Sequence, residues 1–154
     1  MKLVSESLNE LYKFEKKSDS LVSLGVGKKM LITKWLDEMG VKNYIINDDY
    51  TIDVNGNVNL FGKGLVKFPD YIQFNEIYGW FACQGNQLIS LKGCPKIVSN
   101  TFTCRNNNLE SLKYSPLFVG HKSVGNYYDC TNNKIRFTEN YVKELCNVKG
   151  NIYV

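Results

Sequence analysis

Apolar positions between residues 79 and 119 recur with a shift of 21. Phe81, Cys83, Leu88 and Leu91 of GWFACQGNQLISLKGCPKIV return as Phe102, Cys104, Leu109 and Leu112 of NTFTCRNNNLESLKYSPLFV. Two markers keep the same spacing, Asn86 with Asn107 and Pro95 with Pro116. A degenerate earlier copy places Val58, Leu60, Leu65 and Phe68 on these positions at a shift of 23. A later copy places Tyr128, Cys130, Asn133 and Ile135 on them at a shift of 26, and Ile152 with Val154 supplies a last strand. Strands are therefore predicted at five positions, centred near 59, 82, 103, 129 and 153. A unit of about twenty residues cannot bury its own apolar side, so such units stack and share one continuous core.

Upstream of the repeats the periodicity is helical. Ser7-Leu8-Asn9-Glu10 has the form of a capping box, followed by Leu8, Leu11 and Tyr12 at helical spacing. Residues 18 to 27 read as a glycine-punctuated connection. From Lys28 to Met39, Ile32, Trp35, Leu36 and Met39 form an apolar stripe, and Gly40 offers a C-terminal cap. This helix is expected to cover the open end of the stack. The period then drops to two: Tyr44-Ile45-Ile46, the turn Asn47-Asp48-Asp49, and Tyr50 to Val54 predict a hairpin, with Asn55-Gly56 as a second turn signal. Thr138 is placed to cap a short helix over ENYVKELC. A helical cap over 1–42 and a solenoid over 43–154, packed as a single unit, follow from this division.

Written out, the unit is aromatic-x-Cys-x-x-Asn-x-Leu-x-x-Leu, the spacing of the leucine-rich-repeat template. The expected fold is α/β: a short leucine-rich-repeat-like solenoid with a parallel strand face and two N-terminal helices. The repeat asparagines are expected to satisfy backbone groups where the chain bends after each strand. The prolines suit an extended return segment. NQLISLKGCPK and NNNLESLK resemble the short arrays of Cys-x-x-Asn-x-Leu-x-Ser-Leu-x-Gly-Cys-Pro found in uncharacterised bacteriophage proteins, and LITKWLDEMGVKNYIINDDYTIDVNGNVNL resembles their leader. The resemblance covers roughly residues 5 to 137 and implies the solenoid architecture and a phage origin, but supplies no catalytic residues. The chain departs from the pattern at Lys63, at Tyr114-Ser115 and in an insertion over 120–125.

Composition narrows the chemistry. The 154 residues suit one domain, and the net charge of +4 is spread among interspersed acids and bases, which weighs against nucleic acid. No stretch is long and apolar enough for a membrane span, and MKLVSESLNELYKFEKK lacks the apolar run of a signal peptide, so host cytoplasm or virion is the expected location. Five cysteines form no C-x-x-C pair, and Cys83, Cys104 and Cys130 share one repeat position, as small reduced core residues would. His121, the single histidine, has no nucleophile motif beside it. Asp53-Val54-Asn55-Gly56-Asn57 opens like a calcium loop but has Val58 and Gly64 where glycine and a closing acid are required. No Walker or zinc-helix motif is present, so neither catalytic residues nor a cofactor or metal are expected.

What remains is a surface. If Phe81 and Cys83 point inward, Trp80, Ala82 and Gln84 face outward, as do their counterparts in the other coils. That face gathers Phe61, Trp80, Arg105, Tyr127, Asp129 and Tyr153, including the aromatic and arginine types enriched in binding hot spots. The expected function is a non-enzymatic protein-binding module engaging a host or phage protein through this face. A virion decoration component and a weak nucleic-acid binder are the alternatives.

Overall fold

A computed structural model describes residues 26–120 and 124–154. Helix α1 (Val26–Glu38) leads into an antiparallel hairpin of β1 (Tyr44–Ile46) and β2 (Ile52–Val54). From there the chain winds as a parallel-strand β-solenoid of about four turns. One sheet has five strands, β3 (Val58–Asn59), β5 (Phe81–Ala82), β7 (Phe102–Thr103), β9 (Tyr127–Asp129) and β11 (Asn151–Tyr153), all parallel and in chain order. Its register pairs Val58 with Phe81, Phe81 with Phe102, Phe102 with Tyr128, and Tyr128 with Ile152. The three shifts read from the repeats, 23, 21 and 26, are thus the sheet register.

The return leg differs from expectation. It forms a second parallel sheet, in which β4 (Phe74–Ile77), β6 (Ile97–Val98), β8 (Phe118–Val119) and β10 (Asn147–Val148) continue the β1–β2 hairpin. Each turn is therefore a flattened coil with a strand on both sides. Asn55-Gly56 is not a hairpin turn, because β2 and β3 lie in different sheets; only Gly56 of the pair has positive φ, and it forms a corner. The N-terminal side shows one described helix, while the capping-box segment from Ser7 and His121 lie outside the described residues. A second helix, α2 (Glu139–Leu145), stands near the other end, with the predicted Thr138 as its N-cap.

Apolar stacking holds the coils. Phe81 and Phe102 lie nearly parallel, ring centroids 6.0 Å apart, and Tyr128 continues the column 5.1 Å from Phe102. At the other end Phe74 meets Phe81 at 5.2 Å, and Trp35 of α1 stands edge-on to Phe68 and Phe74. Ile32, Trp35 and Leu36 are buried there, so α1 covers the first coil as its stripe predicts. All five cysteines are buried free thiols. Ile135 is half exposed although it occupies a core position of the repeat, because no further described coil repeats that position beyond it.

The asparagines tie neighbouring coils together. The Asn86 side chain accepts from Leu65 N at 3.0 Å and donates to Leu60 O and Cys83 O. Asn107 repeats the pattern with Leu88 N, Cys83 O and Cys104 O, and Asn133 with Leu109 N, Cys104 O and Cys130 O. Each one satisfies the bend of its own coil and also groups of the preceding coil. Among the described residues no coil precedes the first, so at Lys63 an asparagine would have no such groups to reach. The departure at Ser115 also has a reason: Tyr128 replaces a phenylalanine in the core, and Ser115 Oγ sits 2.7 Å from its buried hydroxyl. That bond removes the cost of an unpaired polar group in the core.

Candidate functional site

The outward face of the five-stranded sheet is built by alternation, with Phe81, Phe102 and Tyr128 inward and the residues on either side of them outward. Register places Trp80, Thr101 and Tyr127 in one row and Asn59, Ala82, Thr103, Asp129 and Tyr153 in the next. Trp80 and Tyr127 are thus two strand spacings apart, roughly 9.5 Å along the sheet, with only Thr101 between them. Large side chains around small ones leave a groove of ≈ 360 Å³, with Phe61, Trp80 and Tyr127 as walls and Ala82 and Thr103 in its floor.

Several contacts fix the walls. Trp80 N donates to Asn57 Oδ1, and Tyr127 N donates to Thr101 Oγ1. Tyr127 is held edge-on by Tyr153, centroids 5.5 Å apart. The Phe61 ring lies over Gly85, which has φ +67, and a Cβ there would come within 2.7 Å of the ring. Glycine at 85 thus lets this wall lie close to the sheet.

The floor is polar and unsatisfied. Thr103 is 7% exposed, and among the described residues its Oγ1 has no hydrogen-bond partner, nor has Gln84 Oε1, buried at the groove's side. Unpaired buried polar atoms of this kind are costly and uncommon. Among the described residues no charged side chain lines the groove.

All six residues expected to bind a partner lie on this face, but in different settings. Phe61, Trp80 and Tyr127 converge on the groove; Tyr153 supports Tyr127 from the last strand. Arg105 and Asp129 stand outside the lining as a pair, Nη1 to Oδ2 at 4.0 Å. Asp129 points outward yet is 8% exposed, and its Oδ1 accepts from Thr131 N and Oγ1. Expecting it on an open surface is corrected by these neighbours, which close over a short side chain. Ala82 and Thr103, also expected to face solvent, are buried because the larger groups beside them stand higher. The alternation of large and small outward residues, Trp80 then Ala82 in one coil and Thr103 in the next, was the available signal for a concavity.

Elsewhere the described residues contain no group of three or more His, Cys, Asp or Glu that could hold a metal ion. Asp53, in the abortive calcium loop, instead accepts hydrogen bonds from Asn47 Nδ2, Asn75 Nδ2 and Glu76 N, bracing β2 against β4. Comparison with protein-family models, curated proteins and solved structures finds no match, so function has to be read from this groove and its chemistry.

Proposed function

We propose that the chain is a non-enzymatic binding module of leucine-rich-repeat kinship and phage origin. It works in the host cytoplasm or the virion and engages a host or phage protein through the outward face of the five-stranded sheet. The observation that carries this reading is the convergence of Phe61, Trp80 and Tyr127 around a groove with a small-residue floor. Aromatic anchors at a concave, water-excluding place are what binding hot spots consist of. The leucine-rich-repeat kinship is supported by the consensus spacing, and the phage origin by the resemblance of the array and its leader. The double variant Trp80→Ala/Tyr127→Ala should fold with unchanged secondary structure and lose the protein that the parent chain captures from host lysate. Unchanged capture would reject the reading.

A virion component is the second reading. It is supported by β11, which has a neighbour on one side only among the described strands and so presents an extendable edge. Mass spectrometry of purified particles separates the two, since absence from particles removes the virion reading. Nucleic acid is the weakest partner, because the lining is uncharged and Arg105 is already paired with Asp129.

A further inference from the structure

We propose that two copies of the chain pair end to end about a twofold axis through the coil that carries β10 and β11. The pairing uses none of the residues that line the groove and holds whatever the groove binds.

The two ends of the solenoid differ. At the first coil the sheets stop unevenly, with β1 one strand beyond β3, and Ile32, Trp35 and Leu36 are buried where α1 covers the core. At the other end both sheets stop together, at β10 and β11, among the described strands. The core is open there. Ile77, Val98 and Val119 are buried, yet Val148, next in register, keeps part of its surface exposed. Ile152 does the same beyond Phe81, Phe102 and Tyr128.

Backbone groups are open as well. Asn147 N and Lys149 N donate to Leu117 O and Val119 O, Asn151 N donates to Asn126 O, and Tyr153 O accepts from Cys130 N. Alternation along a strand then turns the N–H and C=O of Val148 and Ile152 to the unpaired side. Neither strand contains a proline or a charged residue, the usual means of blunting an edge.

The occupant follows from the geometry of these two edges. It must offer two strands at the same separation with apolar side chains between them, and a second copy does so by construction. Val148 and Ile152 stand two residues before and two after Gly150, so they face each other across the coil and one axis passes through both. About that axis β10 pairs with β10 and β11 with β11, each antiparallel, and both sheets continue from copy to copy.

Charge fits the same axis. Pairing Val148 with its own copy sets Lys149 opposite Asn147, at a hollow of ≈ 410 Å³ that Glu144, Leu145 and Asn147 help to line. Glu144 and Lys149 are exposed and form no ion pair among the described residues, so each meets its counter-ion across the axis. A coil of about twenty extended residues encloses an end face on the order of 500 Å², so two ends bury roughly 1,000 Å², the lower limit for a specific interface. Pairing is therefore expected at micromolar chain concentrations. Because β1 and α1 obstruct the other end, association closes at two copies.

The test is sedimentation equilibrium of the full chain from low micromolar to submillimolar concentration. A particle of twice the 17.7 kDa chain mass is expected at the upper end. Ile152→Pro removes an N–H that the coil does not use and so keeps the fold, but should weaken pairing by about tenfold or more. Glu144→Lys and Lys149→Glu should each weaken it by about threefold or more, and the double variant should restore it. Amide exchange at Val148 and Ile152 should be fast in the dilute chain and slow as the dimer forms.

A monomer at every concentration, a dimer indifferent to Ile152→Pro, or a charge swap that restores nothing would each overturn the proposal. Mass growing past two copies would overturn it in favour of head-to-tail stacking. Slow exchange at both amides in the dilute monomer would do so too, since the chain would then cover its own edge. A dimer lost in Trp80→Ala/Tyr127→Ala would move the contact to the groove and reject this end as the interface.

Discussion

Asn107 illustrates how much a single side chain contributes to the stack. Its carboxamide joins Leu88 N and Cys83 O of one coil to Cys104 O of its own. Replacing it by alanine leaves Leu88 N without its acceptor, while Cys83 O and Cys104 O keep one bond each, from Asn86 and Asn133, so one buried group is left unsatisfied at about 1–3 kcal/mol. Asn107→Ala should therefore lower stability by about 1–3 kcal/mol, seen as a fall in the urea midpoint. Lys63→Ala, at the same repeat position in the first coil, should stay within about 0.5 kcal/mol, because the side chain there is exposed. That asparagine was needed after each strand was legible in the period. That it reaches the preceding coil was not, since its partners there lie 19 to 29 residues away in sequence.

Among the elements, α2 shows a local signal with a distant consequence. Thr138 Oγ1 accepts from Tyr141 N at 3.2 Å, closing the helix start, and the Tyr141 hydroxyl in turn accepts from Leu112 N and lies within hydrogen-bond distance of Ser111 Oγ. The cap thereby positions a helix that braces the third coil. Thr138→Ala should cost about 1 kcal/mol in thermal or chemical denaturation, while Thr138→Asp, which can also cap, should recover most of it. The cap, the hairpin and the α1 stripe were readable because each rests on neighbours in sequence. The second sheet was not. Ile97–Val98 and Phe118–Val119 are two-residue strands, too short to show alternation, and Phe118 is half exposed. Their pairing is a consequence of the turns already being stacked.

Over the whole molecule, the buried thiols make stability depend on pH at the alkaline end. Burial pushes Cys130 and Cys146 from an ordinary 9.0 up to about 12, with the Asp129 carboxylate adding to the effect at Cys130. Burial also drives Cys94, Cys104 and Tyr128 upward. In each case the folded chain holds its proton more tightly than the unfolded chain. This contribution is fully present below pH 9.0 and is lost as pH rises through about 12. Denaturation midpoints should be flat from neutrality to near pH 9.0 and then fall steeply, and a flat profile beyond that would contradict the burial seen here. The same proton retention makes Cys94, Cys104, Cys130 and Cys146 poor nucleophiles, and burial shields Cys83 as well. All five should resist a thiol reagent in the folded chain and react on unfolding.

The stack, its register and the inward residues are written in the repeat, because identical positions in successive coils must meet. Phe61, Trp80 and Tyr127 were also placed on one face by strand alternation alone. That the return leg is a second sheet, that Asp129 and Thr103 sink below their neighbours, and that the face is concave emerge from packing alone. Those properties depend on the relative heights of side chains brought side by side from coils more than twenty residues apart. No local period encodes that comparison.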